Sequence, residues 1–399
     1  MARTPFKKLS NPILFLSDRP EDFSGLARVT RDLASLTCTL PEFKVAVLGR
    51  GAVGKRSFPF TQYSYPEATG GWGQDYIEEV IRDFFGEERG IIFSNWDLSR
   101  LGWLFGPQYQ SQRHAHVFGE GRNFDTWSYV PCDSTGPNGV SLGIEQSQIA
   151  QGADRILAAS EWGMSVFKNS GRPDADFLPH GLFADKFRIV PGARALLGWR
   201  DEEIWTGIIM TNQARKDWPA AFECLTVLKK EYGNKFFAWL HVDKLIHYWN
   251  LYALAADYGV GDCLQITTEL NDDQLALRYS ACDCTMVPSA GEGFGLPIAE
   301  SMMCGTPCVV TDYAAGQELV PEDCRVRPVT YRIDTTHNVR RAVLSGYAFA
   351  NVVKEQIEKK RVDPEGYSEE MAEMVVHLQW SKLRVVWERW FLAGLRHSG

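Results

Sequence analysis

The chain has no run approaching the ~20 apolar residues that cross a bilayer. Its opening, MARTPFKKLSNP, is basic without the apolar core of a secretory signal. Those absences point to a cytoplasmic protein with no integral membrane segment. Basic residues are in deficit: 42 Lys and Arg stand against 50 Asp and Glu, a formal net charge of -8. There is no global attraction to nucleic acid or anionic lipid, so any such contact has to come from a local basic surface. Metal-ligand spacings are missing too. The nine cysteines are scattered, and Cys282/Cys284 and Cys304/Cys308 have no companion His or Cys at zinc spacing. Buried free thiols in a reducing compartment account for them. His114 and His116 lack a third ligand and read as surface residues. No metal and no cofactor is expected.

What is present is an ordinary globular composition, 45% hydrophobic and 23% charged over 399 residues, enough for two domains with full cores. Strands and helices alternate as in a parallel sheet. A strand at 13–17 is followed by a helix at 26–36 with Leu26, Val29, Leu33 and Leu36 on one stripe, then a strand at 43–48. A helix at 75–85, a strand at 91–94, a helix at 98–105 and a strand at 126–131 continue the series. Gly25, at the first strand-to-helix turn, lets the backbone approach a ligand closely. Asp97 sits at a strand's C-terminal end, as a ligand contact or a helix N-cap. The loop GRGAVGKRS at 49–57 nearly matches a phosphate-binding loop, but Arg56 stands where Ser or Thr would hold magnesium and Pro59 interrupts the helix that should follow. It reads as a solvated basic loop. Residues 185–200, with Pro191, Gly192 and Gly198, connect to a second strand-helix series that begins with a strand at 206–211. Beyond Pro328 the pattern turns helical, ending in an amphipathic helix with Trp387, Trp390 and Phe391.

The most informative stretch is SAGEGFGLPIAESMMCGTPCVVTDYAAGQELV at 289–320. A short apolar strand precedes Gly291, Gly293 and Gly295, and Pro297 is placed to open a helix that Gly305 stops. The amides of Phe294, Gly295 and Leu296 then point out of a helix start, where unpaired N–H groups and the positive dipole end suit a diphosphate. Glu292 lies in the loop and Glu300 in the helix, so they need different partners. A carboxylate is repelled by phosphate, and each is better matched to the hydroxyls of a sugar or ribose. Arg215 and Lys216, at the first turn of the second series, offer a forked donor and a point charge for the same diphosphate.

This segment resembles the nucleotide-sugar motif of the retaining GT-B glycosyltransferases of family 4, the glycosyl transferases group 1, whose signature is Glu, seven residues, Glu around Gly-Phe-Gly-Leu-Pro. The resemblance implies an α/β fold of two Rossmann-like domains facing across an interdomain cleft. It implies an acceptor domain at 1–185, a linker at 186–205, a nucleotide-sugar domain at 206–375 and a helix at 376–399 crossing back to the first domain. It also implies that Glu292 contacts the transferred sugar, that Phe294 to Leu296 hold sugar and diphosphate, that Glu300 holds the ribose, and that Gly25 faces the donor phosphates.

Two positions depart from the family's pattern. The family's Arg falls on Thr211, so that Arg215 substitutes for it or the phosphate grip is weaker. The His common near the strand at 126–131 is replaced by Asp133, a candidate sugar or acceptor contact. His180 marks the approach to the hinge, as a cleft residue or as packing. The expected reaction is transfer of a hexose from a UDP- or GDP-sugar to a hydroxyl on a glycan, lipid, small molecule or modified nucleic-acid base. The nucleotide sugar is a substrate, and no metal is needed. Peripheral membrane contact through the terminal aromatic helix is an alternative to core packing. Rival functions are a sugar-nucleotide-binding or scaffold protein without turnover, and an epimerase of the same fold.

Overall fold

The computed structural model describes residues 10–67, 71–105, 124–335 and 337–397. They form two compact units, one of residues 1–131, 140–178 and 384–399, the other of residues 132–139 and 179–383.

The first unit is a parallel sheet of seven strands in the order β3-β2-β1-β4-β5-β6-β7. The strands are β1 (Asn11–Asp18), β2 (Phe43–Arg50), β3 (Thr61–Tyr65), β4 (Gly90–Asn95), β5 (Phe124–Val130), β6 (Arg155–Ala158) and β7 (Asp176–Phe177). Parallel strands are buried on both faces and read as continuous apolar runs. β1 accordingly carries Ile13, Leu14, Phe15 and Leu16, all fully buried. Crossover helices include α1 (Gly25–Thr37) and α2 (Ile77–Phe85). Ser24 caps α1, its hydroxyl oxygen accepting from the Ala27 amide at 3.1 Å. The helix expected at 98–105 is instead a 3₁₀ turn, Leu98–Arg100, and a short helix, Gly102–Phe105. Leu101 closes an i to i−3 bond to Leu98, and Gly102, a weak helix former, follows it.

The second unit is a parallel sheet in the order β10-β9-β8-β11-β12-β13. Its strands are β8 (Ile204–Ile209), β9 (Phe236–His241), β10 (Leu264–Thr267), β11 (Cys284–Val287), β12 (Cys308–Thr311) and β13 (Arg325–Val326). The helices around it include α3 (Trp218–Tyr232), α4 (Asp272–Ala281), α5 (Leu296–Met303) and α6 (Gly346–Val362). One expectation fails here. The chain beyond Pro328 forms an antiparallel hairpin, β14 (Thr330–Ile333) with β15 (Arg340–Val343), before any helix. Thr, Tyr and Ile in the first strand fit an extended, half-exposed ribbon better than a helix, and Asn338 takes the left-handed conformation in the connection.

All nine cysteines are free thiols, eight of them buried. Among the described residues no helix is long and apolar enough to cross a membrane. The aromatic face of the terminal helix, Trp380–His397, is core: Phe391 is fully buried against Phe93 at 5.6 Å, and Trp390 meets Trp127 edge-on at 5.4 Å. These contacts all lie within the first unit. Phe391→Ala should therefore cost about 3–5 kcal/mol of that unit's stability. Urea denaturation followed by tryptophan fluorescence measures it, and a loss under 1 kcal/mol would contradict this packing.

Candidate active site

The site is built on two adjacent turns of the second unit. β8 and β11 pair side by side, so the turns after them, carrying Arg215–Lys216 and Ser289–Gly295, emerge together at the carboxyl end of the sheet. Two main-chain bonds clasp them, the Ala290 amide donating to the Arg215 carbonyl at 2.8 Å and the Asp217 amide to the Pro288 carbonyl at 3.0 Å, so that Lys216 and Ser289 form an antiparallel bridge. Asp217 then caps α3 through the Ala220 amide at 3.1 Å.

This clasp brings the charged side chains into one cluster. Lys216 Nζ is ion-paired with Glu292 Oε1, and both are buried. Arg215 reaches the same oxygen at 3.2 Å, the Gly291 carbonyl at 3.1 Å and, through Nε, Asp133 Oδ2 at 3.2 Å. Arg341, from β15, meets Asp133 Oδ1 at 3.0 Å and its carbonyl at 3.2 Å. Gly291 is required by closeness: a Cβ there would strike the Asp133 carbonyl. Gly295, at φ 96°, is the N-cap of α5 in a conformation that L side chains rarely adopt, and it orients the first-turn amides of that helix.

The electrostatics follow from burial and pairing. Burial pushes the Lys216 ammonium down to about 8, against the opposing pull of Glu292. Burial alone would raise the Glu292 carboxyl, but Lys216 and Arg215 outweigh it and hold it below the ordinary range. Asp133 behaves alike, its burial outweighed by Arg341 and then Arg215. Three cations thus face two carboxylates, an arrangement with positive charge to spare for an anion.

The other candidates are distributed. Glu300 is buried in α5, where Tyr279 of α4 donates to it at 2.9 Å. Thr211 follows β8, and its carbonyl accepts from Gln213 at 3.0 Å and from the Trp218 indole at 3.4 Å. His180 is buried edge-on to Trp380 at 5.2 Å. Gly25 and Asp97 belong to the first unit: Gly25 opens α1, and Asp97 sits at the N-cap position of the 3₁₀ turn without a side-chain cap bond, 3.4 Å from Arg100. His114 and His116 lie outside the described residues. Among those residues no three His, Cys, Asp or Glu side chains converge as a metal site would need. Arg341 is the residue that sequence reasoning missed. The β-prone run TYRI could have revealed its hairpin, but not its partner Asp133.

Comparison with known proteins covers the turn that carries Glu292 and the helix that carries Glu300. Residues 248–323 match the family described as Glycosyl transferases group 1. A D-inositol 3-phosphate glycosyltransferase of Acidothermus cellulolyticus is 48% identical over 59 residues, 15% of this chain and 13% of that protein. An MMP alpha-(1->4)-mannosyltransferase of Mycolicibacterium hassiacum is 36% identical over 70 residues, 18% of this chain and 17% of that one. The matched stretches thus span under a fifth of these relatives' length. Structural similarity runs further. Sucrose-phosphate synthase of Thermosynechococcus elongatus superposes with a TM-score of 0.72 at 18% identity, over 98% of this chain and 100% of that one. HepE of Anabaena, solved with UDP and glucose, gives 0.69 at 14% identity over 97% and 100%. At these identities the likeness is one of fold.

The paired carboxylate generates a signed prediction. The folded Glu292 carboxyl sits below its ordinary 4.5, so its contribution is complete above that value and is lost as pH falls through the folded pKa, because the unfolded chain takes the proton first. Glu292→Gln should flatten this acid-side slope and cost about 1–3 kcal/mol at pH 7 by leaving Lys216 buried without its partner. Denaturation midpoints between pH 3 and 7 test it, and an unchanged slope would refute the pairing.

Proposed function

We propose that the chain, whose residues 248–323 match the glycosyl transferases group 1 and whose fold is similar to that of sucrose-phosphate synthase, transfers a hexose from a nucleoside-diphosphate sugar to a hydroxyl acceptor with retention of configuration. The observation that carries this reading is the convergence of Arg215 and Lys216 with Glu292 and the start of α5. In the transfer, the acceptor oxygen bonds to the anomeric carbon while the bond from that carbon to the diphosphate breaks. The electron pair leaves with the diphosphate, whose oxygen takes the acceptor's proton. No side-chain nucleophile is then required.

Negative charge grows on the departing phosphate, and the Arg215 guanidinium, the Lys216 ammonium and the first-turn amides of α5 are placed to stabilise it without a metal. Glu292 exchanges its bond to Lys216 for the sugar hydroxyls as the diphosphate takes over the cations. Glu300, held by Tyr279, serves the ribose. The solved complexes of HepE with UDP and with UDP-glucose make a uridine donor the first to test.

A donor-binding protein without turnover is the second reading. It is favoured by the carboxylates already matched to the site's cations, Asp133 to Arg215 and Arg341, Glu292 to Lys216. UDP-, GDP- and ADP-hexoses, assayed for nucleotide release with mixed acceptors, separate the two. Lys216→Ala should lower kcat by about 10²–10³. Binding without release under all acceptors would sink the transferase reading.

Charge on Lys216 also sets a pH limit. Donor affinity by calorimetry should weaken as pH rises through about 8, where the ammonium is lost. Lys216→Met should weaken binding at pH 7 and remove that alkaline fall, whereas a wild-type profile flat to pH 9.5 would argue against the role.

A further inference from the structure

The first unit holds a second polar cluster that the donor chemistry does not use. β1 ends at Asp18, β2 at Arg50 and β3 at Tyr65, and the parallel register sets Asp18 opposite Arg50 and Arg50 opposite Tyr65. Three neighbouring strands thus close on a carboxyl, a guanidinium and a phenol in one row. This is the sheet edge at which α/β proteins bind ligands. Just past β4 come Trp96 and Arg100, and Trp72 lies among them all. The Trp72 ring is 4.5 Å from the Arg50 guanidinium, 4.3 Å from that of Arg100 and 5.3 Å from Trp96, which it meets edge-on. Arg100 also lies 4.7 Å from the Trp96 ring. Aromatic faces hold both guanidiniums in fixed positions.

Unspent hydrogen-bonding capacity separates this cluster from a solvated basic patch. Tyr65 is 1% exposed and Trp96 is fully buried. Yet the Tyr65 hydroxyl, the Trp96 indole N–H and the buried Nε of Arg50 have no hydrogen-bond partner among the described residues. Buried polar groups are nearly always paired, and orphans are costly to keep. Here three orphans stand together, all able to donate, one of them part of the Arg50 guanidinium and all near that of Arg100. Donors in that number match an anion rich in oxygen, and planar guanidiniums match phosphate best. Asp97, 3.4 Å from Arg100 Nε, matches part of that cation's charge, and within the row of strand ends the acceptor is Asp18. It already receives the Ser24 hydroxyl at 2.6 Å, and its remaining lone pairs suit a hydroxyl on the ligand.

We propose that Asp18, Arg50, Tyr65, Trp96 and Arg100 form a pocket for a small phosphorylated polyhydroxy compound. The two arginines, Tyr65 and Trp96 hold the phosphate, and Asp18 accepts from a hydroxyl. Calling this compound the sugar acceptor rests on the transferase reading above; its binding does not. A small phosphate ester is favoured over nucleic acid because the donors are buried and because Glu21 and Asp22 flank the cluster at Arg19, where a continuous phosphodiester strand would be repelled.

Calorimetry on the full chain compares glucose 6-phosphate and ribose 5-phosphate with glucose, ribose and inorganic phosphate. The phosphorylated sugars should bind at least about tenfold more tightly than their parents. Arg50→Gln, and independently Tyr65→Phe, which removes only a hydroxyl, should each erase about tenfold of that preference while leaving UDP-hexose affinity unchanged. Equal binding of phosphorylated and parent sugars, or no binding by either, would overturn the pocket, as would a preference that survives both substitutions. Competition by short DNA through these residues, without sugar-phosphate binding, would overturn it in favour of a nucleic-acid surface. Loss of UDP-hexose binding with the sugar-phosphate preference intact would count against the transferase reading alone and would uphold the pocket.

Discussion

The buried pair of Lys216 and Glu292 is the interaction on which the rest of the second unit's site depends. An ammonium taken out of water needs a carboxylate beside it, and a carboxylate in the same place needs a cation. Each therefore fixes where the other's turn can lie. The turn after β8 and the turn after β11 are held together by main-chain bonds at Ala290 and Asp217, and the ion pair makes any other register costly. Arg215 extends the constraint to Asp133, and Asp133 extends it to Arg341. What results is a compact array with slightly more positive than negative charge, beside a helix start that adds its own partial charge.

Such an array is suited to exchange. Its carboxylates keep the cations solvated by protein when no anion is present. In the proposed reaction an incoming diphosphate displaces them at little net change in charge pairing, and Glu292 turns toward neutral hydroxyls. Glycine is used where geometry leaves no alternative. Gly291 admits the Asp133 carbonyl, and Gly295 turns the chain into α5.

Much of this was legible from local pattern. Continuous apolar runs marked the buried parallel strands, and the Gly-Phe-Gly-Leu-Pro turn marked the start of α5. The one cap the sequence suggested, Asp97, makes no side-chain cap bond, whereas Ser24 and Asp217 do cap their helices. The loop at 49–57 was rightly denied a phosphate-loop role: its Ala52–Ser57 stretch is exposed, Glu21 receives its Gly54 and Arg56 amides, and a strand follows it where a phosphate loop would open a helix. The hairpin at 330–343 was missed because its Arg-rich second strand lacks the alternation that marks a strand with one buried face. The 98–105 segment was overread as one helix because apolar spacing alone does not register the break at Leu101.

By itself the sequence determined the two α/β sheets, the turn that carries Glu292 and the basic pair at Arg215 and Lys216, because strand burial, helix capping and glycine conformation are short-range effects written in consecutive residues. Tertiary structure alone decided which charges meet. Lys216 and Glu292 are 76 positions apart, and Asp133 and Arg341 are 208 apart. No local preference encodes such a partnership. It exists only once chain segments are folded side by side and burial leaves each charge one place to find its counterpart. The row of Asp18, Arg50 and Tyr65 has the same origin, since only strand register aligns three residues that the sequence scatters.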